Sequence, residues 1–264
     1  MVKDRFKGKV VLITGTTHGM GQASAVRLSS EGAIVACNHR PTSSPDETMQ
    51  MVKSAGGQGF PVAADMSKPD QVINMIKETV KQAGRLDYIV SNAAINPIIS
   101  WDKTSIEDYD LLMNTNLRGT WVICTEGAKE MIKEGHGGAI VTTSSISAYV
   151  GAPGQTAYCA TKGGILMMSK ALARDLGKYN IRVNCILPGS INTNMSKDFL
   201  IPGTTVERFY REKAAIKRIG EASEIASVVS FLLSDDASYM TSAELLVDGG
   251  FIVNAEYDEE ISVF

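Results

Sequence analysis

The chain has 264 residues, of which 44% are apolar and 21% are charged, a balance typical of a globular, soluble protein with a sizeable core. Its formal net charge of -3 argues against nucleic acid as the main partner, because phosphate binding requires a positive field. No apolar run approaches the roughly 18 residues of a membrane span, and the charged N-terminus leads straight into a predicted strand, so no signal peptide is indicated.

The cysteines and histidines limit the metal and redox chemistry that can be expected. The four cysteines are widely spaced and form no Cys-x-x-Cys pair, so we expect buried thiols in a reducing cytoplasm rather than disulfides. The three histidines are His18, His39 and His136, and no two of them share a helical face. A catalytic metal is therefore not expected.

The first predicted elements are a strand, a glycine-rich turn and a helix. Residues 9–14 form a short apolar run rich in β-branched side chains, which is typical of a buried parallel strand. Gly15, Gly19 and Gly21 follow, then apolar residues at helical spacing and a second strand at 33–37. A turn of this kind places backbone N–H groups and the positive end of a helix where a pyrophosphate can sit. The sequence therefore predicts a dinucleotide site at this turn.

The residues after the second strand favour one of the two nicotinamide dinucleotides. An acid at this point binds the ribose 2′-hydroxyl of NAD, whereas a cation accommodates the 2′-phosphate of NADP. The chain has His39 and Arg40 here and no carboxylate. A planar guanidinium suits a phosphate dianion, and His18 in the glycine turn can add partial positive charge. NADP is therefore favoured, NAD remains possible, and the alternative is that Arg40 simply points into solvent.

Five further strands are predicted, and they alternate with helical patterns. They lie at residues 60–64, 86–90, 138–143, 181–187 and 244–247. This alternation, without a repeat or a linker, predicts an α/β fold: one doubly wound, Rossmann-type domain over residues 1–264 with a parallel sheet of about seven strands. Residues of about 190–215 are expected to form a mobile cover over the substrate, with an ordinary amphipathic helix pair as the alternative. Residues of about 251–264 form a C-terminal tail.

Tyr158 and Lys162 are the strongest candidates for acid–base chemistry. They lie one turn apart if their stretch begins a helix. At roughly 4 Å and an effective dielectric of about 20, an ammonium favours the phenolate by about 4 kcal/mol, which can lower the phenol pKa by up to about three units. A tyrosine with a pKa near 7 is a usable general acid or base. Taken alone, the pair also fits a core tyrosine beside a solvated lysine.

Three more motifs accompany this pair. Residues 91–94 read Ser-Asn-Ala-Ala, residues 116–119 read Asn-Leu-Arg-Gly, and Ser145 stands thirteen residues before Tyr158. With the glycine turn, this set resembles the short-chain dehydrogenase/reductase family over about residues 9–250. The family usually has Asn-Asn-Ala-Gly where this chain has Ser-Asn-Ala-Ala. Ser144 competes with Ser145, but the separation from Tyr158 selects Ser145.

The resemblance implies hydride transfer between a nicotinamide dinucleotide and a ketone or secondary alcohol. Tyr158 would protonate the substrate oxygen, and Ser145 would donate a hydrogen bond to that oxygen. Lys162 would lower the phenol pKa and bind the nicotinamide ribose, while Asn116 would hold a water of the proton relay. The implied cofactor-binding residues are Gly15, Thr17, His18, Gly19, Met20, His39, Arg40, Asp65, Met66, Asn92, Ala93, Tyr158, Lys162, Pro188, Gly189, Ile191 and Thr193.

Two of these residues have a second interpretation from local structure. Asp65 follows a predicted strand and can equally initiate the next helix. Asn116 is a poor helix former within a helical pattern, so its presence there is either tolerated or functional.

The substrate is the least determined feature. A 3-oxoacyl-carrier-protein reductase, a hydroxysteroid dehydrogenase and a sugar or polyol dehydrogenase all remain open, and a non-catalytic dinucleotide-sensing regulatory protein is the rival from another class. The apolar cover and Trp101 favour a bulky or hydrophobic small molecule. The resemblance implies a homo-oligomer, a tetramer or a dimer. The tail is either a frayed end or a segment whose aromatic residues dock near a substrate pocket.

Overall fold

Seven parallel strands form the central sheet of this computed structural model, in which residues 2–253 are described. They are β1 (Val10–Ile13), β2 (Ile34–His39), β3 (Gln58–Ala63), β4 (Tyr88–Ser91), β5 (Gly138–Thr143), β6 (Ile181–Pro188) and, after two short strands, β9 (Glu244–Val247). Their order is β3-β2-β1-β4-β5-β6-β9. The predicted α/β fold with a parallel sheet of seven strands is confirmed.

Helices cover both faces of this sheet. They are α1 (Gly19–Ser30), α2 (Asp46–Ser54), α3 (Pro69–Ala83), α4 (Ile106–Leu112), α5 (Gly119–Glu134), α6 (Thr156–Leu176), α7 (Thr205–Lys213) and α8 (Ala222–Leu233). Alternate side chains of β1 enter opposite layers: Leu12 packs with α3 and α5, while Val11 and Ile13 pack with α1 and α8. This alternation follows from the strand period of two. Because both faces are buried, the strands consist of nearly continuous apolar runs.

The strand order reverses between β1 and β4, which pair in parallel with Ile13 opposite Val90. The chains that leave these two strands therefore diverge to opposite sides of the sheet. In open α/β sheets, this divergence at the carboxyl ends opens the crevice that binds ligands. The glycine turn after β1 and the Ser-Asn-Ala-Ala segment after β4 both lie at this point.

Two local departures from regular structure concern the site. Met113–Arg118 forms a π-helical segment between α4 and α5, a widened turn that is often found at functional sites. The expected cover contains a short strand, β7 (Ile191–Asn192), which pairs with β8 (Gly220–Glu221), and a single helix, α7. The cover is therefore not a helix pair, and its mobility stays a prediction.

Candidate active site

The glycine-rich turn between β1 and α1 has the geometry of an anion site. Gly15 and Gly19 adopt φ angles of 69° and 62°, which side chains with a Cβ rarely adopt. A Cβ atom at Gly21 would lie 2.1 Å from the carbonyl oxygen of Gly15. The side chain of His18, the N-cap residue, caps no N–H group of α1, and the first turn contains no acid. These N–H groups are therefore available to a phosphate, and the turn fits a dinucleotide.

Thr14 and Asn92 hold the ends of β1 and β4 against each other. The Thr14 hydroxyl oxygen accepts hydrogen bonds from the backbone N–H groups of Asn92, at 2.9 Å, and Ala93, at 3.0 Å. The Asn92 amide donates to the Thr14 carbonyl at 3.1 Å. A Cβ at Gly15 would lie 2.9 Å from the Cα of Ala93. The close approach that the small residues predicted is therefore present between the two turns.

A cavity of about 350 Å³ lies along this turn and the end of β2. It brings together twelve of the residues predicted to bind the cofactor, namely Gly15, Thr17, His18, Gly19, Met20, His39, Arg40, Asp65, Met66, Asn92, Ala93 and Thr193. Asn38, Ser43 and Thr115 also line it, and sequence reasoning did not select them. Asn38 could have been found from its place next to His39, whereas Thr115 lies far away in the chain.

His39 and Arg40 differ in what their side chains contact. The Nδ1 atom of His39 lies 3.0 Å from the carbonyl oxygen of Arg40 and 2.9 Å from that of Ser43. Two carbonyl acceptors require a proton on that nitrogen, so His39 orders the loop that follows β2. The Arg40 side chain is exposed and forms no hydrogen bond or ion pair within the described residues. An unpaired guanidinium beside the cavity suits a phosphate.

The positive charge expected of His18 is not found. Burial lowers the pKa of His18 below 6.5, and the charges of Arg40 and Lys197 lower it further. The ring is therefore neutral at pH 7. Lys197, from the cover, is a cation that sequence reasoning did not place near the cofactor, because no local pattern connects it to the glycine turn.

Asp65 lies at the cavity as expected, but it does not initiate α3, whose N-cap residue is Lys68. It lines the cavity beside Met66, and its Oδ1 atom accepts hydrogen bonds from the backbone N–H of Ser67, at 2.9 Å, and from the Ser67 hydroxyl, at 2.8 Å. These bonds order the turn that leads to α3. The carboxylate thus stabilises local structure at the edge of the cavity.

The predicted reaction groups lie in a second cavity of about 510 Å³, which shares Met20, Asn92 and Thr193 with the first. Its lining includes Ser145, Tyr158, Lys162, Pro188, Gly189, Ile191 and Thr193. The end of β5, the first turns of α6 and the segment after β6 are therefore brought together as expected. Asn116 does not line this cavity.

The structure distinguishes the two candidate serines. The Ser145 hydroxyl oxygen accepts a hydrogen bond from the backbone N–H of Ser147 at 3.1 Å, and the Ser145 side chain lowers the pKa of the Tyr158 phenol. The Ser144 hydroxyl instead donates to the backbone carbonyl of Lys162 at 2.8 Å. Ser145 is thus the serine whose side chain acts on the phenol, and Ser144 anchors α6.

The expected lowering of the phenol pKa is wrong for these side chains. Burial raises the pKa of Tyr158 to about 12, and the lowering effect of the Ser145 side chain offsets only part of that rise. Burial also lowers the pKa of Lys162 to about 8. The ammonium lies 5.4 Å from the Tyr158 ring centroid and donates to the Thr143 carbonyl at 2.9 Å. At pH 7 the site therefore contains a neutral phenol and a protonated lysine.

Asn116 is fully buried in the π-helical segment and holds the loop after β4. Its Oδ1 atom accepts a hydrogen bond from the N–H of Ile95 at 2.8 Å, and its Nδ2 atom donates to the Ile95 carbonyl at 2.9 Å. The same nitrogen lies 3.3 Å from the Thr161 hydroxyl. The observed contacts make Asn116 a clamp on the loop backbone, and the relay water stays a prediction.

Aromatic side chains from the cover and the start of the tail line the larger cavity. Phe199, Phe209, Tyr210 and Phe251 all contribute to it, and the rings of Tyr210 and Phe251 stack at a centroid distance of 5.6 Å. The docking of a tail aromatic near the chain's own pocket is confirmed for Phe251. Residues 254–264 of the tail, including Glu256, Tyr257, Asp258, Glu259, Glu260 and Phe264, lie outside the described residues.

The expected contribution of Trp101 is wrong. Its side chain is 79% exposed and does not line the cavity. The apolar lining of the pocket comes from the cover, from the start of the tail and from the loop between β5 and α6, which contributes Ile146, Val150 and Pro153.

Two buried polar atoms in the lining have no partner in the described structure. They are the hydroxyl oxygen of Thr143 and the side-chain carbonyl oxygen of Asn96. Buried polar groups are nearly always hydrogen-bonded, so such atoms mark places where a ligand group can bind. Sequence reasoning missed both, although Asn96 lies only two residues after the small-residue segment that follows β4.

Comparison with known proteins shows the family to which the chain belongs. A family model described as enoyl-(acyl carrier protein) reductase matches residues 15–252. The chain belongs to the short-chain dehydrogenase/reductase family. It is 36% identical to L-rhamnose 1-dehydrogenase (NAD(P)(+)) of Sphingomonas sp. (strain SKA58), over 95% of this chain and 98% of that protein. It is 33% identical to the 3-oxoacyl-[acyl-carrier-protein] reductase of Thermotoga maritima, over 94% and 100% of the two chains.

A solved structure of the family agrees closely with this one. It is a putative 2-deoxy-D-gluconate 3-dehydrogenase from Agrobacterium tumefaciens with bound NADP, which superimposes with a TM-score of 0.87 at 30% identity and covers 94% of this chain and 97% of that one. As a member of this family, the chain is an oxidoreductase that acts on CH–OH groups of small molecules and uses a nicotinamide dinucleotide.

The described residues offer neither a metal site nor a membrane-spanning helix. Among residues 2–253, no group of three or more His, Cys, Asp or Glu side chains is placed to hold a metal ion. No helix in the same part of the chain is long and apolar enough to cross a bilayer. The four cysteines are free thiols, three of them buried and Cys159 partly exposed.

Proposed function

We propose that this protein transfers a hydride between NADP(H) and a secondary alcohol or ketone, with NADP preferred over NAD. One observation carries the proposal: Ser145 and Tyr158, whose side chains interact closely enough to affect the phenol pKa, line the same cavity as Lys162 and the segment after β6. A bound nicotinamide dinucleotide supplies two-electron chemistry, since its oxidised form accepts a hydride from the alcohol carbon and its reduced form returns a hydride to the carbonyl carbon.

The side chains manage the proton that accompanies the hydride. In the reductive direction, the neutral phenol of Tyr158 gives its proton to the carbonyl oxygen while the carbon receives the hydride, so that the ketone becomes an alcohol. The Ser145 hydroxyl donates a hydrogen bond to that oxygen and stabilises its developing charge. The Lys162 ammonium stabilises the phenolate that remains. In the oxidative direction, the phenolate accepts the proton of the alcohol.

The preference for NADP is supported by the charges at the end of β2. Arg40 borders the smaller cavity without a partner in the described structure, and no carboxylate occupies the place where a ribose 2′-hydroxyl would be bound in an NAD-specific site. Lys197 lies close enough to lower the pKa of His18 and adds a second cation. The NADP-bound relative from Agrobacterium tumefaciens is consistent with this preference.

A binding and turnover experiment tests the proposal. Isothermal titration should show that NADPH binds about 10-fold to 100-fold more tightly than NADH, because a bidentate phosphate contact contributes about 1.5–3 kcal/mol. Arg40→Ala should remove most of this difference, whereas Lys53→Ala, at an exposed helical lysine of α2 that does not line the cavity, should leave it intact. Equal affinities of the wild type for the two dinucleotides would refute the preference.

Turnover separates an enzyme from a dinucleotide-sensing regulator. NADPH oxidation should be seen at 340 nm with at least one member of a panel of sugars, cyclic ketones and 3-oxoacyl thioesters, the first and last of which are suggested by the names of the relatives. Tight cofactor binding without turnover of any member would favour the regulator.

We also propose that the protein is a homo-oligomer, a dimer or a tetramer. Trp121 on α5 and Met167 on α6 are large apolar side chains that are more than half exposed. A shallow groove between these helices is lined by Leu117, Trp121 and Met168. Light scattering after size exclusion should give a mass of two or four chains, and Trp121→Glu should lower that mass.

A further inference from the structure

The side chain of Asn96 lines the larger cavity and serves no visible structural purpose there. Its carbonyl oxygen is buried and has no hydrogen-bond partner in the described structure. A buried amide oxygen without a partner is costly, because it loses its bonds to water and gains none from the protein. The missing partner must then come from a molecule that enters the cavity.

The backbone on both sides of Asn96 is held in place. Ile95, directly before it, is bonded at both its N–H and its carbonyl by the side chain of Asn116, at 2.8 and 2.9 Å. Ile99, three residues after it, donates to the carbonyl of Gly154 at 2.9 Å. The backbone that carries Asn96 is therefore fixed relative to the loop that precedes Tyr158. A polar group carried by fixed backbone discriminates between ligands more strongly than one on a mobile loop.

The surroundings of this amide are divided into a polar and an apolar part. Gln155 contributes a second amide from the loop next to Gly154 and lines the same cavity. The cover and the tail contribute aromatic rings, among them Tyr210 and Phe251. A ligand that fits both parts has a polar edge and an apolar face. A hydroxylated ring meets this description, since its hydroxyl groups lie at the rim and its C–H groups cover the faces.

We propose that Asn96 is a specificity residue that hydrogen-bonds a second hydroxyl group of the substrate, so that the substrate is a polyhydroxylated ring rather than a monohydric alcohol. A hydroxyl both donates and accepts hydrogen bonds, as does a carboxamide, so the pair is complementary. The inference rests on the proposed oxidation of CH–OH groups at Tyr158 and adds the chemical class of the substrate. The reaction itself remains the two-electron oxidation of one hydroxyl-bearing carbon.

The test compares ring alcohols that differ only in a second hydroxyl. The probes are cyclohexanol and the 1,2-, 1,3- and 1,4-cyclohexanediols, each oxidised with NADP by the full chain. We expect kcat/KM for the preferred diol to exceed that for cyclohexanol by at least 10-fold, because a site built around a substrate hydroxyl rejects the analogue that lacks it. The preferred isomer then reports the spacing between Asn96 and the reacting carbon.

Variants locate the effect at Asn96. Asn96→Leu, similar in shape but apolar, should lower kcat/KM for the preferred diol by about 10-fold to 100-fold and lower that for cyclohexanol by a clearly smaller factor. Asn96→Asp keeps an acceptor and should retain most of the preference. Asn74→Leu, at an exposed asparagine of α3 outside the cavity, is the matched control and should change neither value.

The outcomes separate this inference from the proposed function. Wild-type protein that oxidises cyclohexanol as well as every diol, in a Tyr158-dependent manner, overturns the inference and leaves the proposed function intact. An equal loss of both activities in Asn96→Leu overturns it too, since a merely structural role would have that effect. If Asn96→Leu does not fold, the wild-type ratio of diol to cyclohexanol decides. Wild-type protein that binds NADPH and oxidises no alcohol overturns both.

Discussion

Buried ionisable groups lie at both ends of the parallel sheet. The protein pairs them fully at the amino end and incompletely at the carboxyl end. At the amino end, the Asp87 side chain is 1% exposed. Its carboxylate accepts a bond from the backbone N–H of Val10 at 2.9 Å and from Arg85 Nε at 2.7 Å, and it pairs with Lys9 at 3.2 Å. Burial alone would raise the pKa of Asp87, but these partners hold it below its ordinary value of 3.8.

The carboxyl end leaves its buried groups incompletely paired. Burial raises the pKa of Tyr158 to about 12 and lowers that of Lys162 to about 8, since no opposite charge compensates for the lost hydration. Thr143 and Asn96 each have a buried oxygen without a partner in the described structure. Groups whose partners are all supplied by the protein serve the fold, and groups whose partners are missing serve a ligand.

The largest effect should come from removing the phenol hydroxyl at the carboxyl end. Tyr158→Phe should lower kcat by about 10³-fold, because general acid catalysis contributes 10²–10⁴-fold, while NADPH binding and thermal stability stay close to those of the wild type. Steady-state kinetics with the best substrate and fluorescence titration of NADPH measure the two effects.

The matched control is Tyr149→Phe. Tyr149 lies on the loop between Ser145 and Tyr158 but does not line the cavity. Its loss of the hydroxyl should change kcat by less than twofold. A Tyr158→Phe variant with more than a tenth of wild-type turnover would show that the proton comes from another group.

At the amino end, loss of a charge should cost stability and not turnover. Asp87→Asn should lower the free energy of unfolding by about 3 kcal/mol, since it breaks a buried ion pair, with kcat per folded molecule unchanged. Urea unfolding at pH 7 measures the loss. Asp236→Asn, which breaks an exposed pair with Arg5, should cost less than about 1 kcal/mol.

The pH dependence of this loss has a defined sign. The folded pKa of Asp87 lies below its ordinary value of 3.8, so its stabilising contribution is present above that value and is lost as the pH falls through the folded pKa. The difference in unfolding free energy between the wild type and Asp87→Asn should therefore decrease below about pH 4. A gap that is constant from pH 7 to pH 3 would mean that the charge of Asp87 is not what stabilises the fold.

Turnover should depend on pH through the two shifted groups at the carboxyl end. Reduction requires a protonated Tyr158 and a charged Lys162, so its kcat/KM should be flat below pH 8. Above the Lys162 pKa of about 8 it should fall by about tenfold per unit. Oxidation requires the phenolate, which increases tenfold per unit. Its kcat/KM should therefore rise up to about pH 8 and then level off, as the loss of lysine charge cancels the gain.

A permanently charged side chain at position 162 is the comparison for this profile. Lys162→Arg should be slower throughout, but its reduction rate should show no decline near pH 8, because the guanidinium keeps its proton. If the reduction rate of the variant declines near pH 8 as in the wild type, a residue other than Lys162 causes the decline.

The smallest effect concerns the orphaned hydroxyl of Thr143. Thr143→Val replaces an unpaired buried hydroxyl by a methyl group of the same shape and should stabilise the protein without ligand by about 0.5–1 kcal/mol. Thr142→Val is the matched control on the same strand. The Thr142 hydroxyl is hydrogen-bonded to the Ser169 hydroxyl at 2.7 Å. The free energy of unfolding of Thr142→Val should therefore be lower than that of the wild type by about 1 kcal/mol. Equal losses of unfolding free energy in both variants would contradict the assignment of the Thr143 hydroxyl as unpaired.

Local sequence patterns were sufficient to predict the sheet and most of the candidate site. Apolar runs, the glycine turn and the spacing of Ser145, Tyr158 and Lys162 are all short-range features. They led to seven strands and to the residues that line the two cavities. The roles assigned to those residues remain predictions, and their placement is what the structure shows.

Features that depend on distant contacts could not be predicted in this way. The pKa of Tyr158 is dominated by burial, which arises from packing among α4, α6 and the loop after β4, and no neighbour in the sequence reveals it. Asn116 was expected to hold a water, but its partner is the backbone of Ile95, twenty-one residues earlier. Trp101 was expected at the pocket only because its side chain is large and apolar. Its exposure depends on the path of a loop whose sequence has no regular pattern.

The clamp of Asn116 on Ile95 has a consequence for how this scaffold can change. A carboxamide that satisfies both the N–H and the carbonyl of one residue imitates a neighbouring β-strand, so the loop beyond β4 keeps the rigidity of the sheet without being part of it. The side chain at position 96 can then be exchanged while the backbone beneath it stays in place. Chemistry and selectivity are thereby assigned to separate residues, which lets one arrangement of Ser145, Tyr158 and Lys162 act on different molecules.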